Sequence, residues 1–286
     1  MNIVDDILKY GSTEQVPVPA KVDDDIKSKL SACKFDLSRR PKSVEFLLSA
    51  VVEGVEYGVG ARGMLGVVSG VAKSRKTTFL SAVVASALAD KDVVNMRLRP
   101  GGKVVFFDTE QPDYFFYHTQ RRAHQLAGLI TNVDWYGAFA LRDFDPMARV
   151  KAIEAVLQQE APTCAIIDGV LDLVYDMNDL REAQAIAQML MRWTKEFDCL
   201  IMIVLHRNEG LSGRSKMAGH LGSVITRKAD FEIMLDRNEQ TGYTQVKHRP
   251  SRVRRFPTFQ FTQNSQGFPV LDSSETIDVT PIEQVP

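Results

Sequence analysis

The sequence is short of cysteine, of long apolar runs and of net charge, and each shortage closes off a class of protein. Among its 286 residues are three cysteines, Cys33, Cys164 and Cys199. They lie far apart and fit no zinc-ligand spacing, and two sit in apolar, strand-like runs. That makes them small core residues of a reducing compartment. No apolar run reaches the roughly 18 residues that a bilayer span needs, so no membrane partner is expected. The N-terminal MNIVDDILKYGSTEQ has early acids and no basic-then-apolar layout, which argues against a secretory leader and for a cytoplasmic protein. The formal net charge of −1 neither requires nor excludes nucleic acid, because the placement of charge matters more than its sum. There is no internal repeat.

What is present is ordinary in bulk: 44% hydrophobic and 25% charged residues, enough for a sizeable core. Residues 1–44 read as an N-terminal arm, with a VPVPAK stretch that resists helix and a charged DDDIKSK helix start. Ser43–Tyr57 has apolar residues at helical spacing. From Leu65 short Val/Ile/Phe-rich runs alternate with helix-length segments. The strand candidates are Leu65–Ser69, Lys103–Asp108, Val133–Phe139, Cys164–Asp168 and Leu200–Leu205. Thr77–Ala89, Pro112–Leu129, Pro146–Gln159 and Leu180–Phe197 are the helices between them. Strands apolar on both faces and joined by helices predict an α/β fold with a mainly parallel sheet. Phe231–Leu235, Tyr243–Lys247 and Thr258–Phe261 predict antiparallel strands at the C-terminal edge. The domain is expected over 45–262, with an acidic, mobile tail over 263–286.

The strongest motif is LGVVSGVAKSRKTT, an apolar strand entering a loop that runs directly into a helix. The phosphate-binding loop pattern is G-x-x-x-x-G-K-[ST]. Gly70, Lys76 and Thr77 fit it, and Arg75 stands in place of the second glycine. The loop Gly70, Val71, Ala72, Lys73, Ser74, Arg75, Lys76, Thr77 and Thr78 is thus the candidate phosphate cradle. Its backbone amides and the lysine ammonium would hold phosphate oxygens, and the Thr77 hydroxyl Mg²⁺. An arginine in the backbone angles that glycine tolerates there costs about 1–2 kcal/mol. Arg75 and Lys73 could instead add charge to the cradle.

Four further motifs come after it in order. CAIID ends an apolar strand in Asp168, a metal-holding position once a phosphate loop lies upstream. VVFFDTE places Glu110 beyond the second strand, where a carboxylate can orient water or take its proton. LIMIVLHRNE puts His206 at a strand's C-terminal end, where it could sense a γ-phosphate. YTQVKHRP puts Lys247 and Arg249 on one side of a strand. That arrangement suits a finger reaching a neighbouring subunit's phosphate, or equally a basic surface loop.

The ordered set GVAKSRKTT, FFDTEQ, CAIID, VLHRN and VKHR resembles the RecA/DnaB-type ATPases, nearest to the RepA-like hexameric ATPases and helicases of plasmids and mobile elements. The likeness covers roughly residues 45–262. It implies a RecA-like core that binds ATP and Mg²⁺, with Lys76 and Thr77 on the nucleotide. It also implies that Glu110 is the catalytic glutamate, Asp168 the metal aspartate, His206 the sensor, and Lys247 and Arg249 a finger acting in trans. In that family the segments after the Asp168 strand and the His206 strand face a central channel. Here 169–179 is acidic, whereas 207–220 carries Arg207, Arg214 and Lys216 for phosphates and has no aromatic residue for base stacking. The implied function is an ATP-driven, helicase-like homo-oligomer, a hexameric ring on single-stranded DNA in replication or mobilisation of a genetic element. An ATP-gated loader with low turnover that recruits a partner protein is the alternative.

Overall fold

In the computed structural model, residues 43–208, 216–249 and 253–272 are described, with isolated positions (26, 30, 33–38, 274, 275 and 277) outside those runs. The chain divides into two compact units, Met1–Val44 and Glu45–Pro286, and the second holds the elements described below.

The centre of this second unit is a ten-stranded sheet. Five parallel strands carry it: β3 (Leu65–Gly70), β5 (Val104–Asp108), β6 (Tyr136–Ala140), β7 (Cys164–Asp168) and β8 (Leu200–Asn208). Beyond β3 come β10 (Phe231–Arg237), parallel to it, and then antiparallel β11 (Thr244–His248), β12 (Phe259–Gln263) and β13 (Pro269–Val270). The spatial order is β13-β12-β11-β10-β3-β8-β7-β5-β6, and β9 (Lys216–Met217) pairs with β8. A second sheet, β2-β1-β4, comprises β1 (Phe46–Val52), β2 (Val55–Ala61) and β4 (Met96–Leu98).

The helices are α1 (Lys76–Ala89), α2 (Asp113–Leu126), α3 (Pro146–Glu160), α4 (Leu180–Glu196) and α5 (Gly219–Lys228). The period-two rule explains the layering. Val68, Phe106, Ile166 and Met202 face one core with Phe79 and Val83 of α1 and Leu48 of β1. Their strand neighbours Val67, Phe107, Ile167 and Ile203 face a second core with Ile153, Leu190, Trp193 and Ile225 of α3, α4 and α5. The central strands are apolar on both faces because both faces are covered. Helix starts obey their caps: Asp145 accepts from Ala148 N–H at 2.9 Å, and Asp179 from Arg181 and Glu182 N–H at 2.7 and 2.9 Å.

The sequence expectation fails in three places. Ser43–Tyr57 is the hairpin β1–β2 and not a helix. Glu53 and Gly54 both adopt positive φ, 52° and 75°, the backbone of a tight two-residue hairpin turn. The seven-residue apolar run before that turn packs as a strand against β4. Residues 219–228, read as loop and unassigned chain, form α5. The expected tail is interrupted, because β13 pairs with β12 and buries Phe268 and Val270, so ordered structure passes residue 262. Residues 278–286 lie outside the described residues, as does most of the expected arm.

Candidate active site

The parallel strands deliver the predicted residues to one edge. β3 ends at Gly70, β5 and β7 end at Asp108 and Asp168 in register, and His206 on β8 pairs with Gly70. In a parallel sheet such C-terminal ends form one crevice. A cavity of about 200 Å³ lies there, lined by Lys73–Thr78, Glu110, Asp168 and His206.

The loop owes its shape to two non-glycine residues in the left-handed region, Lys73 (φ 60°) and Arg75 (φ 68°). Alternation of right- and left-handed residues turns successive amides inward into an anion-binding concavity, which continues into the free N–H groups of α1. Arg75 therefore keeps the backbone expected of the missing glycine. Its guanidinium does not add to the cradle; Nη1 donates to Gly242 O at 2.5 Å and Thr262 Oγ1 at 3.2 Å on the antiparallel extension. Nearby, Arg237 Nη1 donates to Lys73 O at 3.2 Å. Gly70 is required by closeness: a Cβ there would sit against Ser74 Oγ and 2.7 Å from Leu235 O.

Lys76 is buried, its ammonium donating to Gly70 O and Val71 O at 3.1 and 2.8 Å. Burial pushes its pKa down, against the pull of Asp168 and Glu110. Thr77 Oγ1 donates to Asp168 Oδ2 at 3.1 Å. Burial, and next the charges of Asp108 and Glu110, push Asp168 up to about 7, against Thr77 and Lys76. Glu110 Oε1 lies 3.1 Å from His206 Nε2, and this hydrogen bond holds the Glu110 carboxyl below the usual range. The arrangement is thus a cation, a hydroxyl–carboxylate pair and a carboxylate–imidazole pair around one anion-sized cavity.

Sequence reasoning does not single out every contributor. Asp108 accepts from Glu110 N–H and Gln111 N–H at 3.0 and 2.8 Å, and from the Gln111 amide, so it sets the turn that presents Glu110. Thr109 Oγ1 donates to Gly169 O at 2.9 Å and Asp172 Oδ2 at 2.8 Å, tying this turn to the segment after Asp168. Asp108 and Thr109 stand inside the motif FFDTEQ, where only their neighbour Glu110 marks them.

Lys247 and Arg249 do not line the cavity. They continue the outward side of β11 that Gln245 begins, and Lys247 Nζ pairs with Asp236 Oδ2 at 2.6 Å. Arg207 corrects the expectation of a DNA-facing side chain. It is buried and pairs with Glu232 Oε1 at 2.6 Å, both side chains 8% exposed, because the alternation along β8 that turns His206 to the cavity turns Arg207 to the other face. Arg214, and the side chain of Lys216, lie outside the described residues.

Fold and site together define a P-loop ATPase domain of the RecA/DnaB type. The chain belongs to the AAA domain family, whose profile (AAA_25) matches residues 48–210, more than half of its length. Among solved structures, a helicase ATPase domain is similar, with a TM-score of 0.52 and 14% identity, covering 72% of this chain and 83% of that one. That likeness speaks for the fold. No curated protein matches. No helix among the described residues is long and apolar enough to cross a membrane.

Proposed function

We propose that the chain is a Mg²⁺-dependent ATP hydrolase that works on single-stranded DNA as a homo-oligomeric, hexameric ring, helicase- or translocase-like, in replication or mobilisation of a plasmid or mobile element. The observation that carries the reading is the pairing of Glu110 with His206 across the cavity from Lys76 and the Thr77–Asp168 pair. Lys76 turns from the Gly70 and Val71 carbonyls to the β/γ-phosphates. Glu110 orients the attacking water and takes its proton, and His206 holds Glu110 while sensing the γ-phosphate. Thr77 and Asp168 suit Mg²⁺: a buried carboxylate with its pKa near 7 gains its full charge beside a divalent cation. The cation supplies charge neutralisation on the phosphates. Lys247 and Arg249, facing outward from β11, suit a finger offered to the neighbouring subunit.

The test is ATP hydrolysis with single-stranded DNA, double-stranded DNA or RNA, beside Lys76→Ala. The expectation is turnover stimulated by single-stranded DNA and lost in Lys76→Ala. Absence of turnover in the wild type under every condition would sink the hydrolase reading. Arg249→Ala, inactive alone, should regain activity when mixed with Lys76→Ala subunits. A second reading, an ATP-gated loader that turns over slowly and recruits a partner protein, draws on the exposed Tyr114, Phe115 and Tyr117 at the start of α2 and on exposed Tyr175 and Met177. Assembly on a non-hydrolysable ATP analogue without DNA-stimulated turnover would favour it.

A further inference from the structure

The cavity residues touch one another, but the strand ends that carry them must also be held in register, and one buried group does this from behind. Glu232, on β10, accepts from Ser69 Oγ at 2.5 Å and from Arg207 Nη1 at 2.6 Å through the same oxygen. Arg207 Nη1 also lies 3.5 Å from Ser69 Oγ. Ser69 directly precedes Gly70 at the start of the phosphate loop, and Arg207 directly succeeds His206. The chain of contacts therefore crosses three neighbouring strands, β8, β3 and β10, one residue behind the cavity. Backbone bonds continue it: Glu232 O accepts from Arg249 N–H at 2.9 Å, and His206 O from Ala218 N–H at 3.0 Å.

A buried ion pair of this kind is not needed for stability, since apolar residues of similar volume commonly serve as well. What it supplies is a fixed geometry: a carboxylate and a planar guanidinium accept few arrangements, and apolar packing accepts many. Backbone pairing alone leaves the last residues of β8 free to shift, because the β3–β8 ladder ends at Gly70 and His206. We propose that Arg207 and Glu232 are positioning residues that lock the end of β8 to the phosphate-loop strand, so that the His206 imidazole meets Glu110. This rests on the hydrolase reading for its consequence and on geometry alone for its cause.

The experiment compares wild type, Arg207→Met/Glu232→Met and Ser69→Ala in the full chain. Three quantities are read: thermal unfolding, steady-state hydrolysis, and the histidine side-chain NMR signals, with His206 assigned by its loss in His206→Gln. In the double variant the apolar pair should keep the unfolding temperature near wild type. Its kcat should fall about 100-fold with KM for ATP changed less than about threefold, as a small misplacement of a catalytic group predicts. Its His206 signal should move to the position seen in Glu110→Gln. Ser69→Ala, which leaves the ion pair whole, should lower kcat by no more than about tenfold and shows the same direction should the double variant fail to fold. A double variant with wild-type kcat and an unmoved His206 signal would overturn the proposal. Should the wild type not hydrolyse ATP, the hydrolase reading falls, while the His206 signal still decides whether the lock positions the ring.

Discussion

Arg75 offers a test of loop geometry in which the order of two substitutions matters more than either size. Its φ of 68° is the left-handed conformation, which costs an L-residue about 1–2 kcal/mol and glycine little. Its guanidinium offsets that cost by donating to Gly242 O and Thr262 Oγ1. Hydrogen bonds from charged donors contribute about 1.5–3 kcal/mol. Gly242 O keeps the Thr262 hydroxyl at 3.1 Å, so removing the guanidinium orphans no acceptor. Arg75→Ala loses the side-chain bonds and keeps the strained backbone, and should destabilise by about 1.5–3 kcal/mol. Arg75→Gly loses the same bonds but relieves the strain. After allowance for glycine's greater freedom in the unfolded chain, it should be more stable than the alanine variant by about 1 kcal/mol. For a domain of this size that is a gap of about 2–4 °C in unfolding temperature. Urea and thermal unfolding of the three proteins measure it. Alanine at or above glycine would refute the strain account. Binding of a fluorescent ATP analogue should change less than about threefold in Arg75→Gly, because the guanidinium is turned to the extension; a tenfold loss, about 1.4 kcal/mol, would place it on the phosphates instead.

Two further expectations concern the same edge and its extension. Gly70→Ala puts a methyl against Ser74 Oγ and the Leu235 carbonyl, and backbone cannot yield as a side chain can, so unfolding should show a loss of about 1–3 kcal/mol together with weakened nucleotide binding. His248 is buried against Phe256, its Nδ1 accepting from Phe256 N–H at 3.3 Å, and burial, then Arg255, holds its pKa below the ordinary 6.5. The unfolded chain thus takes up the proton more readily than the folded one. The stability from the neutral ring is fully present above about pH 6.5 and is lost as pH falls through the folded value. Urea midpoints measured from pH 7.5 downward should fall more steeply for the wild type than for His248→Gln, and equal slopes would count against this.

Much of the site is legible in sequence because its chemistry depends on residue types at short range. GVAKSRKTT identifies itself through a strand, a loop and a helix start within fourteen residues, and each carboxylate or histidine comes after an apolar run that can only be a buried strand. Period-two burial then places those strand ends on one edge with no further information. Ser43–Tyr57 misleads because seven apolar residues before a Glu-Gly turn satisfy helical and strand spacing almost equally. The α5 segment is hard to see because Gly219 and Gly222 hide its period, and its apolar face shows only when Leu221, Val224 and Ile225 meet α4 and β8.

By itself, then, the sequence determined the order of strands and helices, the phosphate loop and the identity of Lys76, Thr77, Glu110, Asp168 and His206, because these depend on local pattern and on strand direction. Tertiary structure decided what depends on chains far apart in sequence. It turned Arg75 onto Gly242 and Thr262, and it buried Arg207 against a carboxylate 25 residues away. A charged residue near a loop looks the same in sequence whether it meets water or an acid, and only the neighbouring strand decides which.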